Sequence, residues 1–166
     1  MRRGLLLFVA AVGCRAAFAG GQPVPAPREP APLTRFDNRV AGVSEYSGYR
    51  EEARVVVRDT LAWRQAWATL NAGRFPQPAL PPVDFDREAV VVVSMGGRPS
   101  GGYEISIAGA SPSADTLDIA IRTTSPGNGC AVPAAYTQPV DVAKFPARFG
   151  RVRFRQIDSV VTCKQR

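Results

Sequence analysis

Residues 88–107 read EAVVVVSMGGRPSGGYEISI, and this stretch decides the fold. The unbroken run Val90–Val93 predicts a strand buried on both faces. Tyr103, Ile105 and Ile107 alternate with Glu104 and Ser106, the pattern of a half-buried strand. Between the two lies Gly96-Gly97-Arg98-Pro99-Ser100-Gly101-Gly102, in which four glycines permit positive φ and close backbone approach. The exposed N–H groups of such a loop suit an anion or a peptide terminus. A wide hairpin loop with unusual dihedrals is the alternative. The stretch is not a P-loop, since it lacks the lysine and following Ser/Thr and leads into a strand. It is not a G-x-S-x-G elbow either, and no general base is available to activate Ser100.

Working outward, Leu117, Ile119 and Ile121 alternate with Asp118 and Ala120 in the next strand, and Val140 and Val142 flank Asp141 in a short one. Arg151 to Arg155 alternates again, and Ile157 to Val161 continues it after an expected bulge near Gln156. On the N-terminal side Val55-Val56-Val57 is a strand core. Asp59-Thr60 then offers an N-cap for a helix near residues 60–71. Trp63, Ala66, Trp67 and Leu70 share one face of that helix by their 3, 4 and 7 spacing, and Asn71-Ala72-Gly73 closes it. The tryptophan pair is read as core packing against a sheet. One amphipathic helix among several short strands predicts an α+β domain, with a mainly antiparallel β-sheet or small barrel.

Composition removes several chemistries. The 166 residues contain no histidine, so Ser-His-Asp, Cys-His and imidazole-ligand sites are excluded. Three cysteines alone cannot make a four-ligand zinc site. Asp84, Asp86 and Glu88 form a D-x-D-x-E series that could face a hard cation. With Arg87 among them, and no glycine or glutamate in EF-hand register, solvated charges at the start of a strand are the better reading. No metal and no cofactor is expected.

The first 19 residues read as an export signal, with Arg2 and Arg3 before an apolar run from Gly4 to Gly13. Two processing sites remain open: Ala17-Phe18-Ala19, of the signal-peptidase kind, and a lipobox alternative ending at residue 13, Ala10-Ala11-Val12-Gly13-Cys14, which would lipidate Cys14. Residues 20–36 are a Pro/Gly-rich tether, and 37–166 a single domain. In an exported protein the remaining Cys130 and Cys163 are most simply a disulfide, with two separate buried thiols as the alternative.

The formal charge is 21 − 14 = +7. Residues 148–166 carry six bases (Arg148, Arg151, Arg153, Arg155, Lys164, Arg166) and one acid, Asp158, hence 6 − 1 = +5. Arg151, Arg153 and Arg155 share one strand face. They suit an anionic or lipid surface, or else simply protect an edge strand by charge. Export and the missing aromatic interleaving argue against nucleic acid.

The order of these features resembles one family. Trp63 and Trp67, Val83-Asp84-Phe85, Gly97 to Ile105, the 117–121 strand, Ser125-Pro126-Gly127 with Cys130, and Thr137-Gln138-Pro139-Val140 are similar to the C-terminal domain of the PrcB family, over roughly residues 53–146. The resemblance implies an exported, non-catalytic, β-rich accessory subunit of a secreted bacterial protease complex. Its implied partner is another envelope or secreted protein, with membrane contact only through a lipid anchor. Arg98, Ser100, Gly101, Gly102 and Tyr103 are then the candidate partner-binding residues, and catalytic residues are expected to be none.

Overall fold

The valine run is the centre of the fold because each neighbouring layer takes alternate members of it. The computed structural model describes residues 29–36 and 45–163. The export signal, Cys14, most of the tether, Lys164 and Arg166 lie outside the described residues. The elements in order are β1 (Thr34–Arg35), β2 (Glu52–Val57), α1 (Thr60–Leu70), β3 (Glu88–Met95), β4 (Glu104–Ser113), β5 (Thr116–Pro126), β6 (Val140–Pro146) and β7 (Arg151–Val161). A first sheet has the order β1-β6-β3-β2 and a second β4-β5-β7. The α+β reading with a mainly antiparallel sheet therefore holds, as two stacked sheets and not a closed barrel.

Val90 and Val92 point to the helix side, where Trp63, Ala66, Trp67 and Leu70 cover them together with Val57, Val140 and Val142. Val91 and Val93 point the other way, against Ile105, Ile107, Leu117, Ile119 and Ile121 of the second sheet. A strand between two apolar layers has no polar face to offer, which is why its sequence does not alternate. Asp59 accepts the Ala62 N–H at 2.8 Å and starts α1 as expected. The buried indoles donate to the proline loop, Trp63 Nε1 to the Pro81 carbonyl at 3.0 Å and Trp67 Nε1 to that of Pro78 at 2.9 Å. Core packing is thus the role of both tryptophans.

Two local expectations are corrected. Ala31 and Phe36, which composition places in the tether, are buried, and Thr34–Arg35 pairs antiparallel with Lys144 and Ala143. No bulge occurs near Gln156: β7 pairs residue for residue with β5 from Thr116↔Arg151 to Pro126↔Val161. Beyond Phe154 the inner face of β7 leaves the core. Gln156 meets Arg54 at 2.6 Å and Asp158 meets Thr123, so polar residues there look like a change of phase. The bulge instead falls in β4, between Ile107 and Gly109. Strand β7 runs parallel to β5, because β6 crosses to the first sheet in between.

Asp141 anchors the β4 bulge. Its carboxylate is fully buried and accepts the Ile107 N–H at 2.6 Å and the Val142 N–H at 2.8 Å. Arg35 donates to the same carboxylate and to the Ile107 carbonyl. One acid from the first sheet thereby holds the irregular point of the second.

Cys130 and Cys163 are joined, with Cα atoms 5.1 Å apart, and the bridge ties the end of β7 to the 127–130 turn. The separation of 33 residues corresponds to a loop-closure contribution of about 3–4 kcal/mol. Cys163→Ser is expected to lower the melting temperature to that of the reduced wild type and to abolish the response to reductant. Thermal unfolding of both proteins with and without dithiothreitol measures this.

Candidate functional site

The glycine-rich loop leaves β3 in the first sheet and enters β4 in the second, so it crosses between layers and is not a hairpin. That crossing sets its glycine requirement. Gly96 has φ +72°, and a Cβ there would stand 2.8–2.9 Å from backbone atoms of Arg50, Glu51 and Glu52. At Gly97 a Cβ would collide with the Tyr136 phenol. Gly96 therefore needs hydrogen where other residues carry a side chain, whereas a side chain at Gly97 would have to displace the exposed Tyr136 ring.

Neighbouring segments hold the loop by its backbone. Gly97 N–H donates to the Arg50 carbonyl at 2.8 Å and Gly101 N–H to the Pro133 carbonyl at 2.9 Å. Arg98 and Thr137 exchange both bonds of an antiparallel bridge, at 2.8 and 3.0 Å. Thr137 Oγ1 adds a bond to the Ser100 carbonyl at 2.9 Å. These three loop amides are spent inside the protein and do not form an anion cradle. Ser100 Oγ donates to the Gly101 carbonyl at 3.1 Å, a contact that does not activate it as a nucleophile.

The loop thus presents a fixed surface. Pro99 and Gly102 are exposed, Gly101 is buried, and Ser100 and Tyr103 are half-buried. Tyr103 packs against the inter-sheet core, and the Arg98 guanidinium lies over its ring at 5.7 Å. Tyr136, 58% exposed, stands beside Gly97. The candidates Arg98, Ser100, Gly101, Gly102 and Tyr103 are therefore contiguous with one another. Tyr136 extends the surface, and the buried Thr137 holds it from beneath. Tyr136 carried no pattern that singled it out, because it lies in an irregular segment whose position is set only by long-range pairing.

The Arg151/Arg153/Arg155 face lies elsewhere, on the outer side of the second sheet. Arg153 bonds Asp118 through Nε and Nη2 at 2.5 and 2.8 Å, and Arg151 pairs Asp115 at 3.5 Å. The Asp118 hydrogen bond and charge raise the Arg153 pKa further above its ordinary value. Arg155 is exposed, in register with Ala120. Asp118 across the strands and Asp115 in the turn before β5 offset two of the three charges. On the inner face of β7, bonds from Thr123 and then Gln156 hold the Asp158 pKa below the usual carboxylate value.

The D-x-D-x-E residues do not converge. Asp84 bonds the Asp86 N–H at 3.2 Å and pairs Arg87 at 3.7 Å, whereas Glu88 pairs Lys144 at 2.8 Å. Among the described residues no group of three or more His, Cys, Asp or Glu side chains is placed to hold a metal ion.

Residues 89–146 match the family model described as PrcB C-terminal. The matched span runs from the second residue of β3 to the end of β6 and contains the whole loop together with Tyr136 and Thr137. It is narrower than the resemblance drawn over residues 53–146, leaving β2 and α1 outside, while β1 and β7 lie outside both. No curated protein and no solved structure matches the chain.

Proposed function

We propose that the chain is an exported accessory domain of the bacterial cell envelope, without catalytic activity. In this reading it supports a component of a protease complex through the surface formed by residues 96–103 and 130–138. The observation that carries the reading is the coincidence of the family match with this surface: the matched span contains the glycine-rich loop, whose amides at Gly97, Arg98 and Gly101 are bonded to neighbouring segments and hold it in a fixed shape. A shape held this firmly suits recognition, because little conformational freedom remains to be lost on binding. The chemistry points the same way. The chain has no histidine, the Ser100 hydroxyl is bonded to the Gly101 carbonyl, and Lys144 is engaged by Glu88.

The test is chemical crosslinking of intact cells followed by purification of the full chain. A defined envelope or secreted protein, a protease or its subunit, is the expected co-purifying species. Recovery of the chain alone from wild-type cells would overturn the proposal. The intact mass of the same preparation reports the processing site: lipidated Cys14 as the first residue gives one mass, and cleavage after Ala19 gives another.

A further inference from the structure

Three cationic side chains among the described residues are partly buried: Arg54, Arg98 and Lys144. Two are fully engaged. Arg54 bonds Glu52 at 2.7 Å, Gln156 at 2.6 Å and the Ser94 carbonyl at 2.7 Å, and Lys144 pairs Glu88 at 2.8 Å. Arg98 differs from both. Its guanidinium has no carboxylate and no carbonyl acceptor among the described residues, only the Tyr103 ring at 5.7 Å, and its buried Nε–H is unsatisfied. Partial burial removes water from a cation, and a ring face replaces that hydration less well than an anion does.

The side chain is also held in readiness. Pro99 restricts Arg98 to an extended backbone, and the reciprocal bridge to Thr137 fixes it there. Glu104, the acid next along the chain from Tyr103, alternates to the opposite face of β4, in register with Thr124. Around Arg98 the surface offers Pro99, Gly102 and the exposed Tyr136, apolar or backbone groups that suit the stem of a side chain.

We propose that Arg98 is the anchor for a carboxylate side chain, glutamate or aspartate, on the surface of the partner protein. That the carboxylate belongs to a partner protein rests on the function proposed above, whereas the carboxylate chemistry does not. A chain-terminal carboxylate is disfavoured, because its capture relies on a nest of free backbone N–H groups. Here the amides of Gly97, Arg98 and Gly101 are already bonded within the protein. The guanidinium then supplies the charge-assisted hydrogen bonds, and Tyr136 and Pro99 flank the stem.

The experiment titrates the 15N-labelled full chain with three peptides: acetyl-Ala-Glu-Ala-amide, acetyl-Ala-Gln-Ala-amide, and acetyl-Ala-Gln-Ala with a free C-terminal carboxylate. The Arg98 Nε–H resonance is the readout, and the Gly97 and Thr137 amides report the integrity of the bridge. The glutamate peptide is expected to shift the Arg98 signal saturably at millimolar concentration and the glutamine amide to leave it in place. In Arg98→Gln the loop-amide shifts caused by the glutamate peptide should vanish while Gly97 and Thr137 keep their positions. Equal shifts from the glutamate and glutamine amides, or none from either, would overturn the inference, and a stronger response to the free terminus would overturn the choice of side chain over chain end. The crosslinking experiment separates the two proposals: Arg98→Gln should recover the partner at least about tenfold less well than wild type. Undiminished recovery removes the Arg98 anchor and leaves the accessory function standing. No recovery with wild type, beside a positive titration, removes the function and leaves the site.

Discussion

Replacing Asp141 with alanine should destabilise the domain by about 3–4 kcal/mol, the sum expected from an orphaned buried donor and a broken charge pair. The side chain is fully buried between the sheets, and its removal takes the acceptor from the Ile107 N–H and the counter-charge from Arg35. Ile107 lies at the bulge, so the damage should concentrate in β4. Asp141→Asn keeps one acceptor oxygen and should lose only about half as much. Urea unfolding measures both losses, and amide exchange locates them. A loss under about 1 kcal/mol for Asp141→Ala would contradict the anchoring role.

A comparable effect is expected from Gly96→Val, here at the surface proposed for recognition. Three contributions add: positive φ at a β-branched residue, contact with the Arg50–Glu52 backbone at 2.8–2.9 Å, and strain on the Gly97 bond to Arg50. Together they should cost about 3 kcal/mol. The loop should shift relative to Thr137, so the Arg98–Thr137 amides should lose their protection from exchange before the rest of the first sheet. Equal protection of these amides in variant and wild type would show that the loop does not depend on glycine at this point.

Local pattern was enough to read the elements that a single stretch specifies. The valine run, the capped helix with its tryptophan face, and the 104–107 and 117–121 alternations all carry their own burial signal. What depends on distant partners was not readable. The polar residue of Val140-Asp141-Val142 looks like the solvent side of a short strand, yet it is fully buried because a bulge in another sheet needs its oxygens. Thr34–Arg35 has too little apolar character to announce a strand and is ordered by pairing with β6. The parallel arrangement of β5 and β7 follows from which sheet β6 joins, and no residue in either strand encodes that. The same holds for the site. The glycines of residues 96–102 marked the loop, but the neighbours that use their amides, Arg50, Pro133 and Thr137, are brought by the fold. Arg98 was legible as a candidate. Its want of an acceptor was not, since that depends on which acids pack nearby.

Recognition of a partner through residues 96–103 is tested most directly by photo-crosslinking in intact cells. A photoreactive phenylalanine derivative is placed at position 99, on the exposed tip of the loop, and in a second strain at position 155, on the outer face of the second sheet. The expected result is an adduct with one envelope or secreted protein from position 99 and none from position 155. An adduct from position 155 alone, or none from either, would contradict it.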